Sequence, residues 1–157
     1  MKRHENLQPL SREHHFGLSI SQKARTLADD SSVDEQHHHW QQLIDFIQDN
    51  QLKHFSTEEK YLVTPLLRKI QRNENQPLSN HLSEQNADVK KLAEKLLAEH
   101  ELLKTLSEIT NPTLDDVRRL GEALYQHIRF EEREVFGLAE TLLSKEELEQ
   151  VFQASLN

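Results

Sequence analysis

Apolar residues recur every three or four positions along four long stretches of the chain, and this spacing predicts four amphipathic helices. The stretches run from about Ser11 to Ala28, from about Val33 to Leu62, from near Pro77 to Asn111, and from Thr113 to Leu138. A short fifth helix is predicted from Ser144 towards Leu156. Because short polar segments connect the stretches, the pattern favours an all-α, antiparallel up-down four-helix bundle that forms one domain over residues 1–157.

Individual residues predict where some of these helices begin and end. Pro65 follows the second apolar stripe and is expected to end or kink that helix, because proline has no backbone N–H to donate. Thr113 with Asp116, and Ser144 with Glu147, have the spacing of a capping box. These pairs predict the first turns of the fourth and fifth helices.

Composition excludes several classes of function. The chain has no cysteine, which excludes disulfides, thiolate metal sites and cysteine nucleophiles, and its three glycines form no phosphate-binding loop. The formal net charge of −8 disfavours binding to nucleic acid or to an anionic membrane surface. No apolar run approaches the roughly 18 to 20 residues of a membrane span, and the first ten residues lack a signal-peptide core. We therefore expect a cytoplasmic protein.

The apolar stripes are interrupted by histidine and glutamate. In the second helix His54 and Glu58 continue the stripe, and in the fourth helix His127 and Glu131 do the same. The first helix places His14 on its inward side. Both pairs belong to strings in which acids follow the histidine at the fourth and fifth positions. Chance predicts roughly 0.3 such strings in a chain of this composition. Two strings at equivalent places on two apolar stripes therefore indicate a common function.

The third helix offers less obvious candidates. Gln85 lies on its apolar stripe, and His81 lies one turn before Gln85 near the edge of the same face. His100 stands between two glutamates and is expected at the surface. Glu59 and Glu132, which follow the two inward glutamates, are expected to be solvated or to lie behind the ligands.

A polar layer inside a bundle needs a partner, because an unpaired buried polar group costs about 1–3 kcal/mol and a buried charge costs more. Hydrogen-bonded His–Glu ion pairs are one solution. A divalent metal is the other, since imidazole and carboxylate are natural ligands and the spacing aims both at one point. The absence of thiolates favours iron or manganese, with zinc as a further alternative.

The chain resembles the hemerythrin-like, or HHE cation-binding, family through three segments, 10–15, 54–59 and 127–136. The resemblance implies a four-helix bundle with a non-haem di-iron centre. It implies His14, His54 and His127 as ligands, with Glu58 and Glu131 as bridging carboxylates. Gln85 stands where such proteins show a third-helix histidine, so His81 is the expected substitute. If His81 cannot reach the centre, one metal ion is bound more weakly or not at all.

The resemblance leaves three functional hypotheses open. The first is a metal-binding protein that binds or senses a small diatomic ligand, O2 or NO, or handles iron. The second is a di-metal oxidase, peroxidase or nitric-oxide stress repair enzyme, although repair proteins of this kind usually carry a cysteine segment that this chain lacks. The third is a helical interaction module with a degraded metal site. Whether the protein is a monomer or a homodimer stays open.

Overall fold

The computed structural model of the chain describes residues 3–73 and 80–156, and this part is helical without a strand. A 3-10 turn at Glu5–Leu7 precedes eight α-helical segments: α1 (Gln8–Arg25), α2 (Val33–Phe46), α3 (Leu52–Glu58), α4 (Thr64–Asn73), α5 (Asn80–Ser107), α6 (Leu114–Phe130), α7 (Phe136–Leu142) and α8 (Lys145–Leu156). Pro77, the expected start of the third predicted helix, lies outside the described residues. None of the helices described is long and apolar enough to cross a bilayer.

The second predicted helix is longer than the sequence suggests. The segments α2, α3 and α4 are continuous, joined by π-helical turns at Ile47–Gln51 and Glu59–Val63, and a similar turn at Glu131–Val135 joins α6 to α7. Just before Pro65, the backbone N–H and the hydroxyl of Thr64 both donate to the carbonyl of Glu59. Proline is tolerated in the first turn of a helical segment. The helix therefore continues to Asn73, and Pro65 follows a widened turn instead of ending it.

Both predicted capping boxes are confirmed. The hydroxyl of Thr113 accepts from the N–H of Asp116, whose carboxylate accepts from the N–H of Thr113. Ser144 and Glu147 exchange the same two bonds at the start of α8. Asn111 lies in the connection between α5 and α6. Its φ is 52°, a left-handed conformation that asparagine adopts more readily than most residues.

Two apolar clusters lie on either side of a polar layer. One contains Leu10, Leu62, Leu66, Leu96, Val135 and Phe136, and the other contains Ile20, Leu43, Phe46, Ile47, Leu103 and Leu124. We call them the Leu96 cluster and the Leu103 cluster. Along each long helical segment, a buried histidine lies where residues of one cluster give way to residues of the other, although Phe55 and Ile128, which directly follow His54 and His127, still belong to the Leu103 cluster. The order alternates from one segment to the next, since α1 and α5 begin in the Leu96 cluster whereas α2 and α6 begin in the Leu103 cluster.

Glycine allows α1 to pack closely against α6. A Cβ built on Gly121 would lie 2.7 Å from the backbone nitrogen of Arg25 and 2.8 Å from the Cβ of Ala24. A Cβ on Gly17 would lie 2.6 Å from a side-chain carbon of Ile128. Neither distance is compatible with an unshifted neighbour, so the two glycines set how closely these helices approach around the polar layer.

Gly121→Ala is expected to lower the free energy of unfolding by about 2 kcal/mol, because overpacking against backbone typically costs about 1–3 kcal/mol. The matched control is Gly137→Ala, where an added Cβ meets nothing within 4 Å. Alanine there is expected to stabilise the helix by about 0.5–1 kcal/mol. Urea unfolding of both metal-free variants, followed by circular dichroism, measures the difference. Equal stabilities of the two variants would contradict the close approach of α1 and α6.

Candidate metal centre

Six buried ionisable side chains from four helical segments form the polar layer. They are His14 from α1, His54 and Glu58 from α3, His100 from α5, and His127 with Glu131 at the end of α6. Each is no more than 2% exposed to solvent. The structure thus brings together five of the six side chains predicted from the sequence and adds one that was not predicted.

One half of the layer is formed by His14 and His54. Their Nε2 atoms lie 3.1 Å apart. The Oε2 atom of Glu131 lies 3.0 Å from Nε2 of His14 and 3.3 Å from Nε2 of His54. The Oε1 atom of Glu58 lies 2.8 Å from Nε2 of His54. Ligand atoms of His14, His54 and Glu131 therefore lie within 4.8 Å of one another, and Glu58 joins this half through His54.

The other half is formed by His100 and His127. The second oxygen of Glu131, Oε1, contacts Nε2 of His127 and lies 3.7 Å from Nε2 of His100. Oε1 of Glu58 lies 4.0 Å from the same nitrogen of His100. The two oxygens of Glu131 thus face different histidine pairs, which is the arrangement of a carboxylate that bridges two ions.

His81 does not belong to this layer, which corrects its predicted role as the third-helix ligand. It is exposed near the start of α5, roughly 28 Å along the helix axis from His100 at about 1.5 Å per residue. Gln85 is half-buried and lines a separate surface cavity with Leu66 and Ile70. The surface position predicted for His100 is also wrong, since this residue is completely buried.

A carboxylate stands behind each of the four histidines, at the ring nitrogen that faces away from the layer. The Nδ1–carboxylate distances are 2.7 Å for His14 with Glu132, 2.8 Å for His54 with Glu13, 2.7 Å for His100 with Glu59 and 2.8 Å for His127 with Glu99. A neutral imidazole that donates its Nδ1–H outwards presents the lone pair of Nε2 to the layer. Histidines that ligate metals in proteins are commonly oriented in this way.

Burial and neighbouring charges change the pKa values of the layer. Burial raises the pKa of Glu58 well above its ordinary value, and the charge of Glu131 adds to this rise. Burial also opposes ionisation of Glu131, but the charge of His127 outweighs it and holds the pKa of Glu131 well below its ordinary value. Although burial lowers the pKa of His127, the Glu131 carboxylate raises it to about 9. The layer therefore retains protons that a bound cation would displace.

Several atoms of the layer are buried but make no hydrogen bond within residues 3–73 and 80–156. They include Oε2 of Glu58 and Nε2 of His100; the carboxylate oxygens that face this nitrogen lie 3.7 and 4.0 Å away. His14, His54 and Glu131 offer three ligand atoms within 4.8 Å of one another, and His100, His127 and Glu131 offer a second such group. A cation would satisfy such buried atoms and replace the retained protons, so these residues fit two metal ions that share Glu131.

Solvent reaches the edge of the layer beside α1. A surface cavity of about 230 Å³ is lined by Ser11, His14, His15, Leu18 and Glu132. His14 is thus the one predicted ligand that this cavity touches.

A family model described as the hemerythrin HHE cation-binding domain matches residues 6–139. The matched range contains all six side chains of the layer and the four carboxylates behind the histidines. No curated protein and no solved structure that was compared with the chain matches it.

Proposed function

We propose, because the chain belongs to the hemerythrin HHE cation-binding domain family, that it holds two non-haem iron ions and binds a small diatomic ligand such as O2 or NO at them. The observation that carries the proposal is the position of Glu131, whose two oxygens face two different pairs of histidines. A hydrogen-bonded ion-pair layer needs no such symmetry. The alternating order of the apolar clusters further supports an up-down four-helix bundle around this centre.

The proposed ligand sets follow from the two halves of the layer. His14 and His54 would hold one ion, and His100 and His127 would hold the other. Glu131 would give one oxygen to each, and Glu58 lies between His54 and His100. Imidazole and carboxylate donors without thiolate favour iron, with manganese or zinc as alternatives. When bound, such ions supply redox chemistry and open positions for an exogenous ligand.

The protein's own residues hold the histidines in place and exclude water. The outer carboxylates fix the tautomer and the orientation of each ring. Phe55 stacks on His100 with ring centroids 4.0 Å apart, and Phe136 stacks on His14 at 5.4 Å. The Leu96 and Leu103 clusters close the layer on both sides. Apolar walls of this kind admit an uncharged diatomic molecule more readily than water or ions.

An enzymatic function is the second candidate, and the number of imidazoles favours it. The layer offers four buried histidines and two carboxylates, so two ions held there would keep positions that no protein ligand fills. Such ions would supply positions at which peroxide could bind and react. A degraded site, the third hypothesis, depended on Gln85, and the structure places Gln85 outside the layer. We therefore do not propose an interaction module.

Metal analysis of the purified protein tests the proposal. After anaerobic loading with Fe(II) and removal of excess iron, we expect two irons per chain. Exposure to air should give a near-ultraviolet absorption that changes when azide is added. Parallel loading with Mn(II) and Zn(II) ranks the metals, and peroxide consumption by the loaded protein tests the enzymatic candidate. Less than half an ion per chain at saturating iron would contradict the proposed function.

A further inference from the structure

Gln51 is a completely buried amide for which the surrounding protein provides no partner. Its relative exposure is 0%, and neither its side-chain nitrogen nor its side-chain oxygen makes a hydrogen bond within the described part of the chain. It is the last residue of the π-helical turn Ile47–Gln51. Single π-helical turns occur often at functional sites.

The position of Gln51 places it beside the metal layer. Gln51, His54 and Glu58 follow one another at steps of three and four, which puts all three on one face of the helix. Gln51 is about 4.5 Å from His54 along the helix axis. The turn that contains it packs against α5, the segment that carries His100. Its neighbours Ile47 and Phe55 both belong to the Leu103 cluster.

The two sides of the layer therefore differ in chemistry. On the side of the Leu96 cluster, both bridging carboxylates are followed along their helices by apolar residues, Leu62 after Glu58 and Val135 after Glu131. On the side of the Leu103 cluster, a polar amide interrupts the apolar wall one turn from His54. A residue selected only for packing would be apolar here, because an unpaired buried amide destabilises the protein.

We propose that Gln51 is a positioning residue whose carboxamide donates a hydrogen bond to a small anion or diatomic molecule held at the centre on the side of the Leu103 cluster. The inference rests on the proposed function, since it needs a ligand at the metal centre. The ligand then lies on one face of the layer, and Gln51 is the protein group that recognises it. The chemical class of the ligand is a small species with an acceptor atom not bound to metal.

Azide binding to iron-loaded Gln51→Leu protein tests this inference. Leucine is close in size to glutamine but cannot donate a hydrogen bond. We expect two irons per chain as in the wild type, a Kd for azide at least about tenfold weaker, and a shifted infrared stretching frequency of the bound azide. In the metal-free state the same substitution should raise the melting temperature, because it removes an unpaired buried amide.

Leu103→Met is the matched control, since it alters the apolar wall of the same cluster without adding or removing a donor. It should leave the azide Kd and stretching frequency close to wild type. If Gln51→Leu holds two irons and binds azide with unchanged Kd and frequency, the inference about Gln51 is wrong while the proposed function stands. If the wild-type protein binds no iron, the proposed function fails and this inference fails with it.

Discussion

Glu131→Gln is expected to reduce the iron content from two ions per chain to less than one. Glu131 is the only residue that belongs to both groups of ligand atoms found in residues 3–73 and 80–156. The substitution keeps the size of the side chain but replaces a charged oxygen by a neutral amide group at the point where the two halves meet. This single substitution should therefore weaken the binding of both ions, whereas loss of a histidine should weaken the binding of one ion.

Elemental analysis after loading with Fe(II) measures this effect, with Glu134→Gln as the matched control. Glu134 lies three residues further along the same π-helical turn and is exposed, so its variant should retain two ions. In the metal-free Glu131→Gln protein, the pKa of His127 should fall from about 9, because burial lowers that pKa and the Glu131 charge that opposes burial is gone. Two tightly held ions in Glu131→Gln would refute the bridging role.

Much of the fold and the larger part of the candidate site could be predicted from helical periodicity. The apolar stripes of the second and fourth helices run without ambiguity into His54 and His127, because apolar residues lie on both sides of each pair. The capping boxes marked the starts of two helices for a local reason, since a side chain bonds to backbone three residues away. Local signals of this kind are readable from sequence because they need no knowledge of tertiary packing.

The histidine that α5 contributes to the polar layer was missed for a physical reason. The stripe of α5 has polar residues at two inward positions, Gln85 between Leu82 and Val89, and His100 between Leu96 and Leu103. Periodicity shows that both face inwards but does not show which lies level with His54. That level depends on how far α5 is shifted along its neighbours, which is a property of tertiary packing.

The acidic neighbours of His100 added to the error. Glutamates on both sides made the segment resemble a solvated surface, yet Glu99 is the partner of His127 Nδ1 at 2.8 Å. The same applies to Glu13, which stands behind His54 and was not singled out in the sequence. A partly exposed carboxylate can serve a buried ring from the rim of the bundle, so a charged neighbour does not indicate that a histidine is exposed.

Two substitutions in α5 test which of its histidines binds metal. His100→Leu is expected to remove one of the two ions, whereas His81→Leu is expected to remove neither. His100 shares its group of ligand atoms only with His127 and Glu131, so its loss leaves one imidazole and one carboxylate for that ion. His14, His54 and Glu131 are unchanged and should retain the other. Leucine preserves apolar contact with Phe55, which stacks on His100 in the wild type.

Three measurements separate loss of a ligand from loss of the fold. Iron content should fall to about one per chain in His100→Leu and stay at two in His81→Leu, whose position is exposed. Circular dichroism of the metal-free proteins should show equal helix content in both variants. The rise in melting temperature on adding Fe(II) should be smaller in His100→Leu than in His81→Leu, because each bound ion stabilises the folded state by mass action. If His81→Leu loses an ion and His100→Leu does not, α5 is shifted along its neighbours by several turns and the original prediction for His81 is right.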